Sequence, residues 1–299
     1  MKQAGTLARM GEAAGFILSH AIPGRAHEKV VAYYALFQDL FETVSEDSGI
    51  LSIGYAQNPA EAELLEAQKD LVRVTARSLP KSGKWLDVGC GIGGPACLLA
   101  RENPGVSISG INITPAHVER ANARKDRARL SARVDFRHGD AQKIPFPDGG
   151  FDGLYAIETA FHYPDKAAFA REAFRVLRPG GSFSSADIVL PDWLPSPLKA
   201  VGRMIARPMM ASPQVYTPGL WRQSLEAAGF CGVSVTDISR ETFGMLGHWR
   251  ERLRAHRGRL AGQYSALFLA FVDFYLLVGL RGLALNPFRY VLVTARKPA

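Results

Sequence analysis

Asp87, Glu158, His162 and Asp187 each interrupt an apolar run and Asp140 follows a strand, and the first of them stands two residues before a glycine turn, in Trp85-Leu86-Asp87-Val88-Gly89-Cys90-Gly91-Ile92-Gly93-Gly94-Pro95. Glycine permits positive φ and lets a ligand lie against bare backbone, and the helix that Pro95 to Arg101 begin turns its positive end toward that ligand. The expected ligand carries a sugar and a charge. Asn112 lies about twenty residues beyond the turn, where a ribose-binding side chain stands in nucleotide sites, and its amide can both donate and accept. His162 follows Glu158 by four positions and precedes Tyr163-Pro164-Asp165; an imidazole there titrates near neutrality and suits general-base work. Asp187 stands in the apolar run Ala186-Asp187-Ile188-Val189-Leu190. Burying it is costly, so it either pairs with an arginine or serves the site.

The elements that must position these groups alternate. Val106 to Thr114 reads as a second strand and Val134 to Arg137 as a third, leading to Gly139-Asp140-Ala141; Phe151 to Glu158 forms a fourth. The helix Ala167 to Leu177 closes at Arg178-Pro179-Gly180-Gly181, and Ser182 to Leu190 is the next strand. Such alternation predicts a parallel sheet with ligands at the carboxyl ends of its strands. Residues 1–79 read as a helical segment, with Leu51-Ser52-Ile53-Gly54-Tyr55 between two helices. Residues 80–190 form the core, and residues 191–285 are cap insertions that also contain a capped helix from Thr217 and a strand Val233 to Ile238. Residues 286–299 supply a terminal strand.

Gly89, Gly91 and Gly94 satisfy the dinucleotide pattern G-x-G-x-x-G as well as the G-x-G turn of an S-adenosylmethionine site. The four ordered segments together resemble the class I S-adenosylmethionine-dependent methyltransferases. The closer likeness is to the small-molecule branch with sterol and tocopherol C-methyltransferases and natural-product O-methyltransferases, through Gly110-Ile111-Asn112-Ile113-Thr114-Pro115 and Ala156-Ile157-Glu158-Thr159-Ala160-Phe161-His162-Tyr163-Pro164-Asp165. The resemblance implies a Rossmann-like, seven-stranded, mostly parallel sheet with an antiparallel last strand. It also implies S-adenosylmethionine as cofactor, with Asp87, Gly89 and Gly91 around the methionine portion and ribose. Asn112 and Ile113 would lie at the ribose, Asp140 and Ala141 at the adenine, and Glu158 at the methionine end. Asp140 has a local alternative, since an acidic residue in such a loop can cap the next turn. Tyr33 and Tyr55 are lid candidates, although aromatic stripes also form ordinary core.

The expected reaction is O-methylation of a small lipophilic natural product, with His162, Asp187 and Glu158 as candidate catalytic groups. C-methylation of an isoprenoid, sterol or quinone is the alternative, with Glu158, Asp187 or the faces of Phe161 and Tyr163 steadying positive charge. Met204, Ile205, Met209, Met210, Phe268, Phe271, Phe274 and Tyr275 are candidates for the acceptor wall, and Arg203 and Arg207 for a diphosphate. A nicotinamide-dependent oxidoreductase and a non-catalytic module that keeps the cofactor fold are more distant readings.

The 299 residues are 47% hydrophobic with a net charge of +8 and a pI near 9.5. That charge admits nucleic acid, an anionic membrane surface or an acidic ligand, but no nucleic-acid-binding module is recognisable. Arg250, Arg252, Arg254, Arg257 and Arg259 form either a solvated helix face or a basic element that meets a membrane or an anionic substrate. Cys90, Cys97 and Cys231 lack metal-ligand spacing, so no metal is expected. The short apolar stretch near the N-terminus, interrupted by Glu12, does not read as a signal peptide, and cytoplasmic residence is the expectation.

Overall fold

The computed structural model describes residues 26–46, 48–210, 215–281 and 287–299, with side chains at all of these except 26, 205–210 and 278–281. Two helices, α1 (Ala26–Val44) and α2 (Leu64–Ala76), precede the sheet. The alternation then runs β1 (Gly83–Val88), α3 (Gly94–Glu102), β2 (Val106–Asn112), α4 (Pro115–Arg127), β3 (Val134–His138), β4 (Phe151–Ile157), α5 (Lys166–Val176) and β5 (Leu177–Val189). After it come α6 (Ser196–Met210), α7 (Pro218–Ala227), β6 (Cys231–Asp237), α8 (Ser239–Phe243), α9 (Leu246–Ala255), α10 (Arg257–Leu260), α11 (Ala266–Arg281) and β7 (Arg289–Arg296).

The seven strands form one sheet in the order β3-β2-β1-β4-β5-β7-β6, with β7 antiparallel to both of its neighbours. The Rossmann-like expectation therefore holds, including the reversed last strand. Central strands must be apolar on both faces because helices cover both, and Trp85 to Val88 are accordingly buried. On one face Phe169, Phe183 and Trp221 pack in a single cluster; on the other Trp85, Leu99 and Ile108 do so. Local signals set the helix starts. Thr217 accepts the Leu220 N–H at 3.2 Å with Pro218 in the first turn, and Asp165 accepts the Ala168 N–H at 2.8 Å.

One boundary differs from expectation. β5 begins at Leu177 rather than Ser182, and its register against β4 shifts between Phe151 and Gly153, so Arg178-Pro179-Gly180-Gly181 is absorbed as a bulge. Gly180 supplies the positive φ of +74° that the bulge requires.

The cap is a separate apolar cluster in which α1, α9 and α11 meet through Phe37, Leu40, Trp249, Leu253, Leu269 and Val272. The basic segment is divided: Arg257 and Arg259 are exposed, while the other three arginines have carboxylate partners. Arg250 and Arg254 both bind Asp273, at 3.0 and 2.8 Å, and Arg252 reaches Glu63 at 2.8 Å and Glu46. Those three arginines stitch the cap to itself and to the segment after α1 instead of forming a free basic face. Among the described residues no helix is long and apolar enough to cross a membrane.

Candidate functional site

A cavity of about 260 Å3 opens at the carboxyl ends of β1, β2 and β4, under α1 and the cap. Its polar end is built from the glycine turn. Gly89, Gly91 and Gly93 take φ of +81°, +53° and +83°, and a Cβ added at Gly91 would meet nothing within 4 Å. That bare backbone is a cradle which a side chain would fill. Asp87 lies beneath it, 2% exposed, and accepts one hydrogen bond, from the Tyr155 hydroxyl at 3.0 Å. Burial pushes its carboxyl up to about 7. A buried carboxylate held by one neutral donor is suited to a cationic ligand group such as the methionine ammonium.

Asn112 lines the same end; its Oδ1 accepts the Thr114 N–H at 2.8 Å, and its amide NH2 has no hydrogen-bond partner among the described residues. Ile113, Ala141 and Asp140 also line it. Asp140 caps its own turn, its Oδ1 accepting the Gln142 N–H at 2.8 Å, while its Oδ2 stands 3.4 Å from His27 Nε2. The residues present fit S-adenosylmethionine: a carboxylate for the ammonium, an amide for ribose hydroxyls and a strand-end acid for the adenine amino group.

Glu158 follows β4 in a left-handed conformation, φ +49°, which is strained for a residue with a side chain. The strain is held by two hydrogen bonds to Oε1, from the Ile53 N–H at 2.8 Å and the Tyr290 hydroxyl at 2.8 Å. Burial raises this carboxyl to about 7 as well. His162 ends a 3-10 turn, Ala160–His162, and is 5% exposed in the cavity wall. Its Nε2 lies 3.2 Å from the Tyr34 hydroxyl, and the Tyr33 ring centroid is 5.9 Å away. Burial pushes the Tyr34 phenol well above its ordinary range, so it keeps its proton and can donate to Nε2 in the tautomer that leaves Nε2 unprotonated.

Beyond His162 the wall is aromatic and aliphatic, with Tyr33, Phe37, Phe41, Trp249, Phe271 and Tyr275. Tyr33 thus belongs to the site. Tyr55 does not line this cavity: its backbone bonds Ala67 O at 2.8 Å and its hydroxyl meets Gln57, so the strap reaches the site through Gly49 to Ile53 instead. A second correction concerns Asp187, which is fully buried yet not in the cavity wall. Its Oδ1 accepts the Phe161 N–H and its Oδ2 the Trp221 indole N–H, each at 3.1 Å. Among the described residues no arginine pairs with it; a neighbouring cation is Lys166, itself fully buried, whose Nζ donates to Tyr163 O at 3.3 Å and lies 4.7 Å from the Tyr216 ring centre. Asp187 is thus bonded to the turn that carries His162 and lies behind the cavity wall.

The acceptor wall differs from the sequence expectation too. Phe271 and Tyr275 line the cavity, whereas Met204 is 64% and Phe274 61% exposed and Phe268 is buried in cap packing. Arg203 does not line it, and the side chains of Ile205, Arg207, Met209 and Met210 lie outside the described residues. Tyr34, Trp249, Tyr290 and Lys166 were not foreseen. Tyr34, Trp249 and Tyr290 stand far from the motifs in sequence, whereas Lys166 directly follows Asp165; only the paired tyrosines in an apolar helix offered a signal.

The comparisons agree with this geometry. A methyltransferase-domain family model matches residues 86–185. The 27-O-demethylrifamycin SV methyltransferase of Amycolatopsis mediterranei is 34% identical over 89% of this chain and 95% of its own. The 2-methyl-6-phytyl-1,4-hydroquinone methyltransferase of Synechocystis is 33% identical over 61% of this chain and 58% of its own. Among solved structures, the [4+2]-cyclase SpnF superposes with a TM-score of 0.75 at 27% identity, covering 91% of this chain and 96% of that one. With a cofactor end shaped for S-adenosylmethionine and a relative aligned along nearly its whole length, the chain belongs to the class I S-adenosylmethionine-dependent methyltransferases, in their small-molecule branch.

Proposed function

We propose that the protein methylates a hydroxyl group of a small lipophilic natural product, with His162 as the base. The observation that carries the reading is the buried imidazole of His162, in hydrogen-bond contact with Tyr34 between the glycine cradle and an aromatic wall. Bound S-adenosylmethionine supplies a sulfonium-activated methyl group that a nucleophile displaces in line. The protein's own part is alignment, exclusion of water and removal of one proton. Tyr34, held as an O–H donor, marks where the Nε2 lone pair lies. An acceptor hydroxyl inserted at that point gives its proton to Nε2 as its oxygen bonds the methyl carbon, and the C–S pair returns to sulfur. The 27-O-demethylrifamycin SV methyltransferase, a relative named for O-methylation of a natural product, supports the choice of atom.

A second reading is favoured by Glu158, whose carboxyl is raised to about 7 at the cavity wall near Tyr33 and Phe161. In C-methylation an alkene or aromatic carbon attacks first, the resulting cation faces those rings, and Glu158 takes the proton later. Asp187, lying outside the cavity, has no part in it. Purified protein incubated with S-adenosylmethionine and panels of hydroxylated and isoprenoid compounds, read by mass spectrometry for a one-methyl gain, identifies the acceptor. On that acceptor His162→Ala is expected to lower kcat by roughly 10² or more with cofactor affinity intact. Full activity in His162→Ala together with collapse in Glu158→Gln would replace the first reading by the second.

A further inference from the structure

Ile53 is the one strap residue whose two peptide groups are each held by a cavity-wall side chain among the described residues. Its N–H is donated to Glu158 Oε1 at 2.8 Å, and its carbonyl accepts the Trp249 indole N–H at 3.0 Å. The two partners come from opposite ends of the cavity. Glu158 closes β4 at the cofactor end, while Trp249 sits on α9 in the cap, 5% exposed and edge-on to Phe41 at 6.1 Å between centroids.

The strap between them touches the cradle. Gly49 to Ile53 line the cavity, and Gly49 passes so close to Gly94, at the start of α3, that a Cβ on Gly94 would overlap its carbonyl. Arg124 secures the far end of the strap by donating to the Ser48 and Ile92 carbonyls, each at 3.1 Å. The Ile53 end is secured by Trp249 and Glu158. A buried indole N–H has no water to turn to, so its bond to Ile53 O is retained for as long as the ring keeps its place in the cap.

We propose that Trp249 is a positioning residue for the methyl donor: from the acceptor side of the cavity, its indole N–H fixes the Ile53 carbonyl and thereby seats the Gly49–Ile53 strap over the bound cofactor. Donor retention is then tied to the packing of the acceptor wall. By linkage, whatever steadies the Trp249 ring slows cofactor loss, and cofactor binding steadies the ring in return. This inference does not depend on which acceptor atom is methylated.

The test uses the full chain and S-adenosylhomocysteine as probe. Trp249→Phe keeps an aromatic ring and removes the donor. Loss of one net hydrogen bond corresponds to about a three- to tenfold weaker Kd, carried by a faster dissociation rate, with faster amide exchange over residues 49–54 in the complex. Phe268→Leu is the control, because Phe268 packs in the same cap cluster without lining the cavity. It is expected to lower Tm while leaving S-adenosylhomocysteine affinity within twofold or so. In the unsubstituted protein the ligand is expected to slow exchange of the Ile53 amide at least about tenfold, a reading that stands even where a variant fails to fold. Unchanged affinity and strap exchange in folded Trp249→Phe, equal weakening by Phe268→Leu, or Ile53 exchange indifferent to the ligand would each overturn the proposal.

Discussion

Replacing Asp187 separates a positioning carboxylate from a catalytic one. In Asp187→Ala two buried donors, the Phe161 N–H and the Trp221 indole N–H, lose their acceptor, each at a cost of about 1–3 kcal/mol. Burial holds Asp187 near 6 and Lys166 near 8, so between those values both are charged, and removing the carboxylate strands a buried ammonium. The two stranded donors together set an expectation of about 4 kcal/mol. For a chain of 299 residues that is roughly 6 °C in Tm. Lys166→Met added to Asp187→Ala should recover part of it, since no charge is left behind. Activity should fall through kcat, because the slackened turn carries His162, while the S-adenosylhomocysteine Kd changes less than about threefold, as Asp187 does not line the cavity. Thermal melts, ligand calorimetry and single-turnover rates on the same preparations make the assay. A folded Asp187→Ala with an unmoved Tm and a kcat loss beyond roughly 10² would refute the reasoning and put Asp187 against the reacting atoms.

Two glycines should behave oppositely despite equal motif standing. A side chain at Gly91 meets no protein atom, so Gly91→Val is expected to cost only about 1–2 kcal/mol of left-handed strain while abolishing measurable cofactor binding; at Gly89 a Cβ would overlap Thr159, and Gly89→Ala should lower Tm strongly. Calorimetry beside melting curves checks both, and retained affinity in Gly91→Val would remove the cradle from the cofactor site. The pH dependence has a definite sign. Asp87 and Glu158 keep in the folded state, up to about 7, a proton that the unfolded chain loses near 4, so the stability they contribute is full below about pH 4 and is lost as pH rises through 7. An ammonium at Asp87 draws its carboxyl back down, so S-adenosylhomocysteine should bind more tightly from pH 6 to 8 and release a proton; a flat Kd over that window would show that Asp87 faces no cation.

The core was legible because its signals are local. The glycine turn, the strand periods and the strand-end acids each report on a neighbourhood of a few residues, and β1 to β4 fall close to where those signals end. Roles that depend on distant partners were not legible. Nothing near Asp187 says that it faces Trp221 and Lys166 rather than the cavity, and nothing near Tyr55 says that the strap turns away one residue after Gly54. The partners of the charge run were hidden for the same reason: Arg250 and Arg254 meet Asp273, visible in sequence only as an interruption of an apolar helix. Side chains such as Tyr34 and Trp249 enter the site from helices whose own periodicity reports only that they are buried.

The insertion of β7 between β5 and β6 has a consequence for the order of events in folding. Glu158 is held at its strained backbone angle partly by the hydroxyl of Tyr290, a residue of β7. Until that strand enters, β5 and β6 present facing rows of unpaired peptide groups to water, and the cradle lacks one of the two bonds that set its methionine end. Closing this contact spans more than a hundred residues and is entropically late. A chain that has reached the cap but not Arg289 therefore has five of its seven strands in one sheet, a β6 with no strand to pair with, and a Glu158 that lacks the Tyr290 bond.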